Sequence, residues 1–232
     1  MMTKTTISSL DTRERILNTA ERLFMDYGYE GTSMRQITSE AAVNLASVSY
    51  HFGSKEALMQ AVFRRRIVWL NEERFRVLDK MEQEAGGQPL KPSQIVDAFF
   101  GTLLRMADDQ DRGGKVFLNL LGRTLTEPSE FIRTFLAQEY APVIERFREA
   151  LFRSLPDVPK SEIVWRFHFM LGATSYAIAG TDALRLVTDW QFESTEEDAH
   201  AHLLPRLMSF LLGGLRAPLP FLPDPALKET SG

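Results

Sequence analysis

The 232 residues contain no cysteine, which excludes disulfide bonds, thiolate metal ligands and a cysteine nucleophile. A reducing compartment is therefore compatible with the chain. Residues 1–11 lack the apolar core of a signal peptide, so we expect a cytoplasmic protein. Long apolar runs are missing too. The longest, 163–181, is interrupted by Arg166 and His168, which predicts a buried helix and not a membrane span.

A strongly basic domain is also absent, because the net charge at pH 7 is −4. The charge is unevenly spread along the chain. Residues 1–66 hold nine basic and seven acidic side chains, whereas residues 67–232 hold eighteen and twenty-four. The slight positive excess at the amino-terminal end is compatible with a nucleic-acid contact there. Such a contact would depend on a few well-placed residues.

The sequence lacks the common signatures of enzymes. It has no nucleophile elbow, no glycine-rich phosphate loop and no close pair of carboxylates. His200 and His202 suggest a metal site, but two positions apart on a helix they project about 200° from each other. We therefore expect no enzymatic activity, no metal site and no cofactor. Two classes remain as alternatives to a protein that contacts nucleic acid: a helical enzyme, and a helical adaptor that does not bind DNA.

Apolar residues recur at spacings of three and four along the chain, without convincing period-two runs, which predicts an all-α fold. A capping box at Asp11 and Glu14 starts a first helix, which Gly28 ends. Two short helices follow, and Ser54 then caps a long helix that reaches about Glu84. Further helices are predicted over 93–106, 115–126, 129–154, 161–187 and 195–214.

The two short helices run from Ser33 to about Ala42 and from about Leu45 to His51. Two such helices joined by a tight turn are typical of a helix-turn-helix DNA reader. The second one carries hydroxyl and imidazole side chains that can reach phosphates or base edges, while Val48 and Phe52 point inward. Lys55 begins the next helix, where backbone amides also attract a phosphate. Solvated polar residues of a small helical bundle are the alternative interpretation.

The stretches TSMRQITSEAAV, from Thr32 to Val43, and SYHFGSKEAL, from Ser49 to Leu58, resemble the amino-terminal domain of the TetR family. This resemblance covers about residues 12–60 and implies a homodimeric transcription regulator, usually a repressor, that binds double-stranded operator DNA. It also assigns roles to single residues. Bases would be contacted by Asn44, Ala46, Ser47 and Ser49, phosphates by Thr32, Ser33, Tyr50, His51 and Lys55, and either by Arg35.

A narrower resemblance, to PsrA-like regulators, rests on 44–46, 50–55 and the stretch from Trp165 to Ala173. Ser49 departs from the asparagine of that branch. The resemblance implies that a fatty acid or its acyl-coenzyme A is the effector. A drug or another aromatic or apolar molecule is the alternative effector.

Three regions are predicted from the helices and the resemblance. A DNA-binding domain spans 1–54, and a helical effector-binding and dimerisation domain spans 55–217 and begins with the long helix over 54–84. A loosely ordered tail spans 218–232. The long helix is expected to act as the lever between the two domains.

The helix over 161–187 is apolar nearly all round, so it needs cover from two sides. The resemblance implies that this helix and the one over 195–214 form the dimer interface. Small side chains that allow close approach are Gly172, Ala173, Ala177 and Gly180. The last helix contributes Leu203, Leu204, Leu207, Phe210 and Leu211.

The segment 99–152 is rich in aromatic and flexible apolar side chains, which indicates either a plain core or an elongated cavity for an apolar effector. A polar anchor at one end would be Arg123, Arg166 or His168. We expect Arg166 to pair with an acidic residue and His168 to be a satisfied core histidine. The predicted lining is Phe99, Leu103, Met106, Phe117, Leu121, Phe131, Phe135, Arg166, Phe169 and Met170.

Overall fold

A computed structural model of the chain describes residues 4–109, 114–126, 130–179 and 196–220. All regular structure in these ranges is helical, which confirms the predicted fold class. The amino-terminal helices are α1 (Lys4–Gly31), α2 (Met34–Glu40), α3 (Leu45–Phe52) and α4 (Lys55–Glu84). The segment α5, over 92–108, is followed by α6 (Gly114–Thr126), α7 (Glu130–Ser154), α8 (Lys160–Ile178) and α9 (Glu196–Leu215).

The helix-turn-helix unit is held by side-chain caps that the sequence places at each helix start. Ser33 accepts a hydrogen bond from the Gln36 amide at 3.1 Å, and Ser54 accepts one from the Ala57 amide at 3.1 Å. These bonds satisfy amides that have no partner inside their own helix. Ile37 of α2 and Val48 of α3 are fully buried. α1 contacts α2, α3 and α4, and α3 contacts α2 and α4, so these helices share one small core.

The first helix departs from its prediction at both ends. It begins at Lys4, before the predicted start at Asp11, and it continues in helical turns to Gly31. The predicted stop at Gly28 is a sharp break inside it, because Gly28 adopts φ 72° and ψ 175°. A residue with a Cβ rarely adopts this conformation, so glycine is needed where the chain turns towards α2.

The long helix α4 agrees closely with its prediction and contains 30 residues, or about 45 Å at 1.5 Å per residue. Its first half buries Leu58 and Val62 beneath the helix-turn-helix unit. Its second half buries Leu70 and Leu78, and α4 contacts α7 and the middle of α5. One continuous helix thus reaches from the helix-turn-helix unit into the larger helical part.

The segment α5 begins at Pro92, one residue before the predicted start, because proline suits the first turn of a helix. It is not uniform: Pro92–Val96 and Thr102–Arg105 are α-helical, Asp97–Gly101 is a π-helix and Met106–Asp108 is a 3₁₀-helix. A π-turn rotates the side chains that follow it relative to those before it. The rotation affects which apolar residues of α5 share a face.

The later helices pack around a buried apolar core that is continuous with that of the helix-turn-helix unit. α6 contacts α1 on one side and α8 on the other, while α7 contacts α4, and α9 packs on α8 and α5. The helix predicted over 161–187 is described as α8 up to Ile178, and its remainder lies outside the described residues. Gly180 and the predicted cap Ser194 also fall outside them, as do 221–232 of the predicted tail.

Candidate DNA-binding surface and effector cavity

Helix α3 presents one side to the core and the other to solvent. Val48 is fully buried, whereas Ala46, Ser49 and Tyr50 are exposed, Tyr50 to 84%. The Tyr50 ring makes an edge contact with the ring of His51, with 5.2 Å between centroids. The exposed side of α3 thus offers hydroxyl groups and an aromatic ring on a short helix, as the sequence predicted.

Asn44 and Ser47 are partly committed to each other. The Oδ1 atom of Asn44 accepts hydrogen bonds from the Ser47 amide at 2.8 Å and from the Ser47 hydroxyl at 2.9 Å. Asn44 is therefore the cap of α3, and its side-chain NH₂ is the part that remains for a base. Among the candidate base contacts, Ser49 carries an exposed hydroxyl that no such cap engages.

The residues before and on α2 separate into a buried and an exposed group. Thr32 is only 1% exposed, and its hydroxyl is within hydrogen-bonding distance of the carbonyls of Gly28 and Leu23, at 2.8 and 3.0 Å. The predicted phosphate contact through the Thr32 side chain is therefore corrected, because this hydroxyl anchors the turn after α1. Ser33 and Arg35 are exposed, so both remain candidates.

Lys55 lies at the start of α4 against the end of α1. Its Nζ atom is 4.2 Å from the centroid of the Tyr29 ring, a cation–π contact. Burial and a hydrogen bond with Glu56 raise the pKa of Tyr29, so its hydroxyl stays protonated. The Glu56 carboxylate has a lowered pKa because it is hydrogen-bonded to its own backbone amide and to Tyr29. These contacts hold Lys55 at the helix terminus where a phosphate would bind.

A shallow polar groove of about 560 Å³ lies between α1, α2 and the start of α3. Asn44 and Ser47 line it together with Arg15 and Thr38. Sequence reasoning missed Arg15, because an exposed arginine on an amphipathic helix is ordinary and carries no motif. The groove places this cation beside the predicted base contacts.

A second cavity, of about 450 Å³, lies among α4, α5, α6, α7 and α8. Its walls are mostly apolar, and the exposed residues Leu125, Arg133, Ala137 and Ala141 mark its solvent side. The volume is within the range of roughly 300–1,000 Å³ that small-molecule sites occupy. We call this space the effector cavity.

Three of the ten predicted lining residues, Phe99, Leu103 and Leu121, do line the effector cavity. The other seven are placed elsewhere: Met106, Phe117, Phe131, Phe135, Arg166, Phe169 and Met170. The prediction that these seven residues line the cavity is therefore corrected. Helical spacing shows that an apolar side chain is buried, but not whether it faces the cavity or packs against another helix.

The misplaced aromatic residues have other partners. Phe117 packs on Phe63, with ring centroids 6.1 Å apart, and Phe131 packs on Tyr29 at 4.9 Å. Phe135 is buried below the guanidinium of Arg64. Met106 and Met170 are buried in the core, with 1% and 3% of their surface exposed, and Phe169 is 63% exposed.

The three predicted polar anchors also lie away from the effector cavity. Arg166 donates to the Glu162 carboxylate at 3.1 Å and to the Leu215 carbonyl at 2.6 Å, which confirms the expected acidic partner. Arg123 donates to the Met25 carbonyl of α1. His168 is exposed, with its ring 5.9 Å from that of Trp165, so the expectation of a core histidine is wrong.

The polar group that does line the cavity is Arg74 of α4, which is 1% exposed. Its Nε donates to the Phe99 carbonyl at 2.9 Å and its Nη1 to the Asn71 side chain at 3.2 Å. Its Cζ atom lies 3.8 Å from the centroid of the Phe99 ring. Burial lowers the pKa of Arg74 to about 10, so the guanidinium is still charged at neutral pH.

Besides Arg133 on the solvent side, three further polar side chains line the cavity: Tyr140, Thr174 and Ser175, whose hydroxyl donates to the Leu171 carbonyl at 2.7 Å. Tyr140 is hydrogen-bonded to Arg74, and burial raises the pKa of its hydroxyl. Thr174 is buried, and its Oγ1 atom has no hydrogen-bond partner within the described residues. The sequence held one signal for this cluster: Asn71 and Arg74 interrupt the apolar stripe of α4 at positions where its neighbours are buried.

The outer side of α8 exposes a run of large apolar residues, Trp165, Phe169 and Tyr176, to between 53% and 63%. Gly172 lies between them with open space around it, and Phe210 of α9 is 67% exposed. These residues form the outer face of α8 and α9. In contrast, Leu207 and Leu211 are buried in the chain's own core, which corrects their predicted place in a dimer interface.

Polar contacts of Glu21 and Arg123 help to connect α1 of the helix-turn-helix unit to the rest of the chain. Glu21 of α1 is 4% exposed and accepts hydrogen bonds from Arg66 of α4 at 3.1 and 3.0 Å, and it also pairs with Arg65. Arg123 of α6 donates a hydrogen bond to the Met25 carbonyl of α1. α6 also carries Leu121 of the effector cavity, so it contacts the cavity and the reader unit together.

Within the described ranges, no helix has the length and apolarity needed to cross a membrane. The same part of the chain holds no group of three His, Asp or Glu side chains that could bind a metal ion. The side chain of His200 lies outside it, and His202 is exposed.

A short exposed helix on a three-helix unit, linked by one long helix to a helical part with a cavity, is the arrangement typical of helix-turn-helix transcription regulators. Comparison with known proteins identifies the family. Residues 16–62 match the model of bacterial regulatory proteins of the TetR family. Residues 97–214, just over half of the chain, match the tetracycline repressor-like carboxy-terminal domain. The chain belongs to the TetR family and is a DNA-binding transcriptional regulator.

Relatives agree with this assignment. The regulator UidR of Escherichia coli (strain K12) is 39% identical over 62 residues, which are 27% of this chain and 32% of UidR. The HTH-type regulator YerO of Bacillus subtilis is 24% identical over 208 residues, 89% of this chain and 67% of YerO. The fatty acid degradation regulator FadR of Bacillus halodurans superposes with a TM-score of 0.55 at 14% identity, covering 89% of this chain and 97% of FadR. The last similarity concerns the fold.

Proposed function

We propose that the protein is a ligand-responsive repressor that binds a pseudo-palindromic operator as a homodimer and is released from it by an apolar effector. The exposed side of α3 carries this proposal, because its hydroxyl and aromatic groups stand on a short helix backed by a buried Val48. The proposed contact surface consists of Ser33, Arg35, Asn44, Ala46, Ser47, Ser49, Tyr50, His51 and Lys55, with Arg15 added. Operator DNA places such a regulator in the bacterial cytoplasm.

The homodimer is proposed through the outer face of α8 and α9. Three aromatic side chains of α8 exposed in one run, with Phe210 beside them, form an apolar surface that a single chain leaves in water. A second copy of the same surface would cover it in an isologous contact. The two α3 helices of such a dimer would meet successive major grooves, about 34 Å apart, so the operator would have two-fold symmetry.

The effector is proposed to be a long-chain fatty acid or its acyl-coenzyme A bound in the effector cavity. The mostly apolar walls of this cavity support an apolar ligand, and the PsrA-like residues support an acyl chain. A drug or aromatic molecule is the second candidate, because the rings of Phe99 and Phe100 form part of the wall. The fold similarity to FadR does not by itself choose between them.

The effector must bind one arrangement of the two reader units better than the other to change DNA affinity. α4 and α6 both line the effector cavity and both contact α1. A ligand that displaces either helix would therefore tilt the reader unit and change the separation of the two α3 helices. Coupling of this kind is typically worth about 1–3 kcal/mol.

The proposal is tested by titrating the protein against labelled DNA from upstream of its own gene. A discrete complex that weakens with salt is expected from a regulator, whereas an adaptor or an enzyme gives none. Palmitate and palmitoyl-coenzyme A should raise the midpoint of this titration, and butyrate should not. The absence of any dependence on acyl chain length, in both operator affinity and thermal stability, would remove the lipid effector and leave a regulator of another ligand.

A further inference from the structure

We propose that the buried part of the effector cavity is a carboxylate site in which Arg74 and Tyr140 bind the acid group of an apolar monocarboxylate. The tail of this ligand would extend along the apolar wall towards Leu125 and Arg133 on the solvent side. The inference rests on the proposed function in one respect, namely that the acid bound at this site is the effector. The site itself is defined by the side chains of the cavity.

The charge of Arg74 is the first observation behind the site. A buried guanidinium normally has a carboxylate partner, because an isolated buried charge is costly. All of the partners of Arg74 in the described residues are neutral: the Phe99 carbonyl, the Asn71 amide oxygen, the Tyr140 hydroxyl and the aromatic rings. An anion entering the cavity would supply the missing negative charge.

The hydrogen-bonding capacity of Arg74 is consistent with this. A guanidinium has five N–H donors. Within the described residues, one is donated to the Phe99 carbonyl and one to the Asn71 side chain, so further donors of Arg74 remain for Tyr140 and a carboxylate. Charge-assisted bonds of this type are shorter and stronger than neutral ones.

A second, independent observation comes from Thr174 on the opposite helix, α8. Its buried Oγ1 atom lines the same cavity and lacks a hydrogen-bond partner among the described residues. A buried hydroxyl without a partner is unfavourable, so a ligand with a polar atom in this space would also stabilise Thr174. Two incompletely satisfied polar groups in one apolar cavity indicate an amphipathic ligand and not a hydrocarbon.

The site also discriminates between the two proposed lipid effectors. A thioester has no charge at the acyl end, and its coenzyme A group is too large to reach a side chain that is 1% exposed. A free acid has a small anionic group that can. The site therefore selects free carboxylic acids over their thioesters.

The test compares decanoate with decanol, which has the same chain length without the charge, by calorimetric titration of the full chain without DNA. The wild type should bind decanoate about tenfold or more tightly, as expected for hydrogen bonds to a charged group. Arg74→Met should lose this preference and keep its affinity for decanol. Arg76→Met removes the same charge from an exposed position of α4 outside the cavity and should keep the preference. Arg133→Met tests the other cation of the cavity wall. Arg74→Lys should restore part of the preference.

Equal affinities of the wild type for acid and alcohol in both pairs, decanoate with decanol and 2-naphthoate with 2-naphthol, would overturn the site, even if Arg74→Met failed to fold. An Arg133→Met variant that alone lost the preference would overturn it as well. A parallel titration with 2-naphthoate and 2-naphthol distinguishes an aliphatic from an aromatic acid. An Arg74-dependent preference for naphthoate over naphthol, without a preference for decanoate over decanol, supports the site and assigns it to an aromatic acid.

Operator titrations separate this proposal from the proposed function. Arg74-dependent binding of decanoate that leaves the operator midpoint unchanged would support the site and contradict its role as the effector site. A midpoint that responds to decanol or to acyl-coenzyme A, but to no carboxylate, would support the regulator and overturn the carboxylate site.

Discussion

At the scale of single residues, the turn between α2 and α3 depends on an unusual backbone conformation. Ala42 has φ 51°, in the left-handed region that residues with a Cβ seldom adopt. The turn is nevertheless retained, because Ile37 and Val48 on either side of it are fully buried. The angle between the two short helices, and with it the exposed side of α3, is therefore maintained against a local cost.

Replacing Ala42 by glycine should stabilise the chain by up to about 1 kcal/mol. The left-handed conformation costs an L-residue roughly 1–2 kcal/mol, and the greater freedom of glycine in the unfolded state offsets about 0.5–1 kcal/mol of that relief. Ala46→Gly, on the exposed side of α3, should instead destabilise by about 0.5–1 kcal/mol. Urea denaturation measures both. A loss of stability in Ala42→Gly equal to that in Ala46→Gly would show that the backbone of Ala42 is not strained.

Tyr50 is the most exposed aromatic residue of the proposed DNA surface, at 84%. Tyr50→Ala should leave the unfolding free energy within about 0.5 kcal/mol of the wild type, because the ring supports no core contact. Affinity should fall for all DNA sequences alike, with the salt slope unchanged, if the neutral hydroxyl contacts a phosphate, because only a cationic contact releases counterions.

The matched variant is Ser49→Ala, one residue earlier on the same exposed side. It should change the preference among operator variants by about 1–3 kcal/mol if its hydroxyl reads a base edge. Fluorescence anisotropy with a set of operator variants separates the two roles. A sequence-dependent loss in Tyr50→Ala, or a uniform loss in Ser49→Ala, would reverse these assignments.

At the scale of elements, α6 is held very close to the end of α8 by Gly122. A Cβ atom at this position would lie 2.5 Å from the Ala179 amide nitrogen and 2.8 Å from the Ile178 carbonyl carbon. Both are backbone atoms, so the two helices would have to move apart. Because Leu121 and Ile178 line the effector cavity, this contact also determines the width of the cavity.

Gly122→Ala should destabilise the chain by about 1–3 kcal/mol, the usual effect of overpacking, and weaken binding of the cavity ligand. The control is Gly101→Ala in α5, whose added Cβ meets the side chains of Asp97 and Arg105, which can move. Thermal unfolding with and without decanoate measures both effects. Similar stability losses in the two variants would show that helix approach is not the cause.

The contact between α4 and α7 should make stability depend on pH. A hydrogen bond and charge pairing with Arg146, and pairing with Arg153, hold the pKa of the Glu82 carboxyl below its value of 4.5 in the unfolded chain. A depressed folded pKa contributes stability that is present above pH 4.5 and is lost as the pH falls towards the folded value. Glu82→Gln should therefore flatten the acid side of the stability profile. An unchanged slope below pH 4.5 would exclude this carboxylate as a contributor.

At the scale of the whole molecule, the outer face of α8 and α9 should determine the oligomeric state. Phe169→Glu and Phe210→Glu each place a charge on the exposed apolar surface and should convert the proposed dimer into monomers at micromolar concentration. Val68→Glu, at a residue 42% exposed on α4, should leave the dimer intact. Sedimentation velocity measures this. Dimers in both phenylalanine variants would place the interface elsewhere.

The route from the effector cavity to DNA also belongs to the whole molecule. The sequence led us to expect α4 as the lever, and Arg74 does bring α4 into the cavity wall. The structure adds α6, which the sequence did not suggest, because Arg123 connects it to the Met25 carbonyl of α1. A backbone carbonyl has no sequence signature, so this connection required the packed structure.

Local structure was largely predictable from the residues themselves. The bounds of α2, α3 and α4 follow from Ser33, Asn44 and Ser54, because a cap acts within three residues of the chain. The start of α1 was wrong, since the capping box at Asp11 and Glu14 lies within a longer helix. The motif residues from 32 to 58 also identified the family, and this part agrees with the comparisons.

The amino-acid sequence by itself determined the helical class, most helix bounds, the short helix α3 and the family, because all of these depend on neighbouring residues or on a contiguous motif. Only the tertiary structure decided which apolar side chains line the effector cavity and which fill the core. It also buried Thr32, exposed His168, and placed Arg74 in the cavity without an acidic partner in the described part of the chain. The physical reason is that the periodicity of a helix reveals its buried faces, whereas the neighbour of each face is determined by packing between residues distant in sequence.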